Sequence, residues 1–155
     1  MSHSSEQTAT FDARTELEEG TRVRAETRHF EFVIDEPESL GGTDAGPNPV
    51  EYLLGSLGGC LSIVGRVVAG EMDIDVAELA IDLEGDLDPA KFQGADVDSR
   101  AGFQEIRASV HAELRSRDGA PVSDDTRDEW LARVEQRCPV SDNLSGETPI
   151  ALDLS

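Results

Sequence analysis

Apolar residues return along this chain with two different periods, and the points where the period changes divide it into elements. Thr8 to Glu18 and Thr21 to Asp35 alternate as strands do, and the short turn at Glu19 and Gly20 predicts that they form a hairpin. In the second strand Phe30, Phe32 and Ile34 share one face, with Arg22, Arg24 and Arg28 on the same parity, while Glu31 and Val33 take the other. Gly41, Gly42, Gly46, Pro47 and Pro49 then break the pattern, so Glu36 to Pro49 reads as a loop. Asn48 followed by Pro49 reads as an N-cap with proline in the first helical turn. Beyond it Leu53, Leu57, Leu61, Val64 and Val68 recur at three and four residues, one apolar face of a long helix ending near Gly70. Gly55, Gly58, Gly59 and Gly65 flank that face and allow another backbone to approach closely.

The second half repeats the order of strands and helix. Asp75 to Leu87 alternates imperfectly through Val76, Leu79, Ile81 and Leu83; Phe103 to Arg115 alternates cleanly through Ile106, Ala108, Val110, Ala112 and Leu114. The polar stretch from Asp88 to Gly102 between these two strands reads as a loop, with room for a helical turn. Ser123 can cap a helix running to Cys138, with Trp130, Leu131 and Val134 as its buried stripe and Pro139 as its end. A last short strand is expected from Pro149 to Leu154. Strands, helix, strands and helix in that order indicate an α+β domain.

Length and charge narrow the picture further. The 155 residues suit one domain, taken as 11–155 behind a flexible polar leader over 1–10. Against 33 acidic residues stand 13 basic ones, a net charge of -20, which repels nucleic acid and anionic membrane alike. All the basic residues but Lys91 are arginine, a balance that points to a salt-loving source, where molar salt shortens the screening length to about 3 Å. The first ten residues hold no apolar core of a signal peptide, and no apolar run reaches the roughly 18 residues of a membrane span, so a cytoplasmic location is expected. In such a reducing compartment two cysteines point to catalysis or metal binding before a permanent disulfide. His29 and His111 show no ligand spacing with them.

Cys60 lies on the apolar face of the long helix, where a thiol can simply be a small core residue. Cys138 stands at the end of the second helix, directly before Pro139, where the backbone is freer to move. One thiol on a rigid helix and one at a movable end suit a peroxidatic and resolving pair, although spacing alone does not show that the sulfurs meet. A thiolate near neutral pH needs a cation, because an unperturbed thiol titrates near 8.5. Arg28, on the face of Phe30 and Phe32, is the candidate. Glu51 can orient that arginine through a bidentate pair, yet on an unbroken helix it stands about 13 Å along the axis from Cys60.

Gly46-Pro47-Asn48-Pro49-Val50-Glu51, leading through Leu57-Gly58-Gly59-Cys60, and then Cys138-Pro139-Val140-Ser141 together resemble the OsmC/Ohr family. Asp35-Glu36-Pro37 through Leu40-Gly41-Gly42 resembles the loop that precedes the family's central helix. The resemblance implies an OsmC-like α+β fold, an antiparallel sheet packed on a long central helix, in an intertwined homodimer with sites at the subunit interface. It also implies that Cys60 is peroxidatic and Cys138 resolving, that substrates are alkyl or fatty-acid hydroperoxides, and that a dithiol such as a lipoyl group is the reductant. No bound cofactor is implied. Here Val50 stands where peroxidase members place the glutamate, and Glu51 follows; with no arginine between Glu36 and Asn48, the activating one must be Arg14, Arg22, Arg24 or Arg28. A binding protein for an apolar ligand and a thiol redox sensor are the alternatives that this fold leaves open.

The charge balance carries a prediction. The melting temperature should fall as ionic strength drops below physiological values, where repulsion between carboxylates is least screened. A melting temperature that does not change with salt would contradict the halophilic reading.

Overall fold

The computed structural model describes residues 7–155; the expected leader's first six residues lie outside the described residues, and 7–10 are exposed without regular structure. Contacts divide the chain into two units, one ending at Tyr52 and the other spanning Leu53–Ser155. Antiparallel strands and a long helix bear out the α+β expectation.

The first unit is a three-stranded antiparallel meander: β1 (Arg14–Leu17), β2 (Val23–Thr27) and β3 (Phe30–Ile34), in the order β1-β2-β3. The expected hairpin is present, with Leu17 opposite Val23. The single strand expected over Thr21 to Asp35 is two, because Thr27 pairs with Phe30 across a two-residue turn of Arg28 and His29. Arg28 takes φ +54° there, so it sits in a turn and does not share a strand face with Phe30 and Phe32. Such a turn usually announces itself by glycine or asparagine; Arg28 and His29 gave no such signal.

After β3 the chain is organised by one carboxylate. Asp35 is buried, and it accepts hydrogen bonds from the hydroxyls of Thr21 and Thr43 and from the amides of Glu36 (2.7 Å) and Ala45 (3.1 Å). The two hydroxyls, more than the amides, hold its carboxyl well below the usual range against the cost of burial. Around it a 3-10 turn spans Glu38–Leu40, and Gly42 lies so close to Glu36 that a Cβ would meet the Glu36 carbonyl oxygen at 1.9 Å. Tyr52 donates its hydroxyl to the Val33 carbonyl at 2.7 Å, and its ring packs 5.3 Å from that of Phe32.

The long helix, α1, runs over Pro49–Glu71. Its start is a reciprocal cap in which the Asn48 side chain accepts from the Glu51 amide and the Glu51 carboxylate accepts from the Asn48 amide, both at 2.9 Å. By length and composition α1 would suffice to cross a membrane, which corrects the expectation that no stretch reached that measure. Part of it is packed inside the second unit instead: Val68 and Ala69 are fully buried with Ile74, Leu114, Trp130 and Val134.

In that unit β4 (Ile74–Asp86) pairs antiparallel with β5 (Glu105–Ser116). Their register slips between Val76 and Glu78, which leaves Ala77 as the extra residue of a bulge. The slip returns Leu79, Ile81 and Leu83 to the side of Val76 and accounts for the imperfect alternation in the sequence. The expected loop over 88–102 contains turns only.

Ser123 caps α2 (Asp124–Arg137), accepting from the Thr126 amide at 3.2 Å. The Trp130 indole donates to the Gly65 carbonyl of α1 at 2.8 Å, buried, and fixes α2 against α1. Pro139 does not end the helical segment as expected. It begins a third helix, α3 (Pro139–Ser145), at the first position, where a missing N–H costs nothing. The expected strand from Pro149 to Leu154 is not formed. Ile150, Leu152 and Leu154 stand exposed, and no strand among the described residues pairs with them.

Gly65 is where α2 presses on α1: a Cβ there would meet the Trp130 ring at 2.9 Å and Leu79 at 3.3 Å. Gly65→Ala should therefore destabilise the protein by about 1–3 kcal/mol, measured by urea denaturation, as overpacking does. Gly70→Ala, with nothing within 4 Å, should be neutral or stabilising by up to about 1 kcal/mol.

Candidate active site

The site is built from the end of α2 and the middle of α1. Cys60 lies on α1 one turn after the buried Leu57, and it is half-buried. Cys138 is the single residue between α2 and α3, with extended backbone (φ -84°, ψ 108°), and only 2% of its surface is exposed. Both are free thiols. The docking of Trp130 and Val134 carries the end of α2 over α1 and sets the Cys138 side chain beside that of Cys60. The structure thus brings together two sulfurs whose spacing in sequence gave no proof of contact.

Burial is the main force on the Cys138 thiol and pushes its pKa up. The Ser141 amide, which donates to the sulfur at 3.4 Å, works the other way, and the Cys60 side chain and its charge push it up further. A hydrogen bond that raises a thiol's pKa favours the protonated form. The protonated form of Cys138 is thus the favoured one, set first by its burial.

A cleft of about 660 Å³ with mixed apolar and polar walls opens next to the pair, lined by their neighbours and by neither cysteine itself. Leu57 and Leu61, on either side of Cys60 in α1, form one wall; Phe103 and Ile106 a second; Ser141 and Leu144 of α3 a third. Glu105 and Glu135 also line it, with Arg100 as the cation. The α3 wall escaped the sequence reading, and Phe103, read there as the start of a strand, lies just ahead of β5 and lines the cleft. Val140 and Leu144, four residues apart behind a proline, were the available sign of a short helix.

The other two candidates lie in the first unit. Arg28 is exposed and its guanidinium lies over the Phe30 ring, 4.9 Å from the centroid. Glu51 is engaged in the cap of α1, and no ion pair between it and Arg28 exists among the described residues. The helix neither begins later than Pro49 nor breaks at its glycines. Of the four arginines open to the activating role, Arg14 and Arg24 pair with Glu16 and Arg22 with Glu18, whereas Arg28 pairs with no carboxylate among the described residues. His29 stacks on Phe30 at 4.0 Å and His111 meets Asp82 at 3.0 Å. Among the described residues no three His, Cys, Asp or Glu side chains are grouped as metal ligands.

Comparison with known proteins gives the fold a family. The family model described as OsmC-like protein matches residues 42–153. An OsmC-like protein from Mycoplasma pneumoniae superposes with a TM-score of 0.72 at 24% identity, over 90% of each chain. The organic hydroperoxide resistance protein OsmC from Legionella pneumophila gives 0.64 at 20% identity, over 91% of this chain and 93% of that one. An organic hydroperoxide resistance protein from Elizabethkingia anophelis gives 0.65 at 18%, over 91% of both. At these identities the structures speak for the fold alone. No curated protein sequence matches the chain.

The burial of Cys138 can be read by alkylation. In Cys60→Ser, where Cys138 is the remaining thiol, the iodoacetamide reaction should show a midpoint above the free-thiol value of about 8.5 and a slow limiting rate. The sign follows from a folded pKa above the unfolded one. The folded state keeps its proton while the unfolded thiol loses it, so this contribution is complete below about pH 8.5 and is lost as pH rises through the folded value. A midpoint at or below 8.5 would show that burial does not govern this thiol.

Proposed function

The chain belongs to the OsmC-like protein family, and on that premise we propose that it is a thiol-dependent peroxidase acting on organic hydroperoxides. The observation that carries this reading is the juxtaposition of a buried Cys138 and the more open Cys60, beside a cleft with leucine and phenylalanine in its walls. Cys60 attacks as thiolate the terminal oxygen of an alkyl or fatty-acid hydroperoxide whose chain lies in the cleft. The O–O bond breaks, the alkoxide leaves as the alcohol with a proton, and Cys60 becomes a sulfenic acid. The Cys138 sulfur then displaces hydroxide from that sulfenic acid, giving the disulfide and one water, with the Cys138 proton on the departing oxygen. A dithiol of the lipoyl class returns both thiols to the reduced state.

In this reading the cation that favours the thiolate is assigned to Arg28, the one of the four candidates without a carboxylate partner among the described residues. The working form is a homodimer: Ile63 and Val67 of α1 are 69% and 48% exposed, and Phe11 of the first unit 91%, apolar surface that a second copy would cover. The compartment is the cytoplasm, where a dithiol reductant is at hand.

The test is to treat reduced protein in high salt with one equivalent of an alkyl hydroperoxide and count thiols and intact mass. Two thiols should disappear with a mass loss of about two hydrogens, and either Cys60→Ser or Cys138→Ser should prevent the disulfide. Thiols that stay reduced would remove the enzyme reading and leave the cleft as a binding site for an apolar ligand. Arg28→Gln should slow the thiol loss by roughly tenfold or more if that arginine favours the thiolate.

A further inference from the structure

Cys138 holds a second position besides its place in the thiol pair: it is the N-cap of α3. Its sulfur accepts the Ser141 amide at 3.4 Å and its carbonyl accepts the Asp142 amide at 3.1 Å. It is also the only residue between α2 and α3. Serine, threonine, aspartate and asparagine ordinarily fill this position, with an oxygen as acceptor. A sulfur in their place makes the cap depend on the chemistry of that sulfur.

Little else holds α3. It has seven residues, none of them buried, and a helix that short is not stable by itself. Its further side-chain and capping hydrogen bonds lie toward its far end, from the Gly146 amide to the Asp142 carbonyl, from the Ser145 hydroxyl to the Ser141 carbonyl and from the Thr148 hydroxyl to the Asn143 side chain. Yet Ser141, Leu144 and Ser145 form a wall of the cleft. The cap at Cys138 therefore bears directly on the shape of the cleft.

We propose that Cys138 is a redox-dependent cap: reduced, it holds α3 as a wall of the cleft, and a disulfide with Cys60 releases that wall. The physical cause is a competition for one sulfur. In the reduced protein the Cys138 sulfur lies beside the Cys60 side chain and accepts the Ser141 amide. To form a covalent bond it must close on Cys60 and so draw away from the amide, which loses its acceptor. Two thiols give up two electrons and two protons in this step. With a hydroperoxide as oxidant these reduce the O–O bond to an alcohol and water, and in that respect the inference rests on the proposed function. The cleft is then shaped for substrate only while the pair is reduced, and it loosens when product must leave and a bulky dithiol must reach the disulfide.

The test follows amide hydrogen exchange at Ser141 and Asp142 by NMR in the full chain. Four samples are compared: reduced wild type, wild type oxidised with diamide, and reduced Cys138→Ala and Cys138→Ser. Loss of a cap should speed exchange at Ser141 roughly five- to tenfold in Cys138→Ala and in the oxidised protein. Cys138→Ser, whose hydroxyl restores an acceptor but cannot form a disulfide, should exchange as slowly as the reduced wild type. That rescue separates capping from a general loosening of the corner. Oxidised protein that keeps its protection, diamide treatment that fails to join the two thiols, or Cys138→Ala that exchanges like the reduced wild type would each overturn the proposal. Diamide also keeps the two claims apart. Thiols inert to hydroperoxide but joined by diamide, with α3 released, would end the peroxidase reading and leave the cap standing.

Discussion

The second unit depends on one contact, the buried hydrogen bond from the Trp130 indole to the Gly65 carbonyl. It exists because α1 carries no side chain at that position, so a ring that buries a large apolar area can lie on the helix backbone. Val134, one turn beyond Trp130, then packs into the same core with Val68 and Ala69. Four residues later the chain reaches Cys138. The meeting of the two thiols is thus decided by packing elsewhere along α2, and the sulfurs are brought to each other by residues that take no part in their chemistry.

This arrangement divides the two thiols by environment. Cys138, almost wholly buried, is disfavoured as an anion; Cys60 beside it is the more open of the two. The division assigns the attacking and the resolving roles under the peroxidase reading without any difference in intrinsic thiol chemistry. It also keeps the resolving thiol from reacting first, since solvent scarcely reaches it.

The elements set by long periodic patterns were legible in the sequence. The five apolar positions from Leu53 to Val68 foretold α1, and Trp130, Leu131 and Val134 behind Ser123 foretold α2. What escaped was decided by backbone geometry that leaves little trace in composition. Arg28 adopts a left-handed conformation in a two-residue turn that no glycine marked, so a hairpin read as one strand. Pro139 read as a stop because proline ends helices, but it starts them equally well, and the capping sulfur before it does not resemble the usual oxygen. The alternation from Ile150 to Leu154 promised a strand, yet a strand needs a neighbour to receive its hydrogen bonds. The two cysteines were legible as residues; the cleft beside them was not, because its walls come from four separate stretches of chain.

Asp35 has a consequence for how the protein answers its solvent. Four neutral donors, two hydroxyls and two amides, hold this buried carboxylate, and among the described residues no guanidinium or ammonium takes part. Dissolved ions weaken attraction and repulsion between exposed charges across the acidic surface, but they do not penetrate to short hydrogen bonds in the interior. The loop that leads into α1 is therefore fastened by a device indifferent to brine or fresh water. Its local geometry stays constant while the forces on the surrounding surface change with every shift in ionic strength.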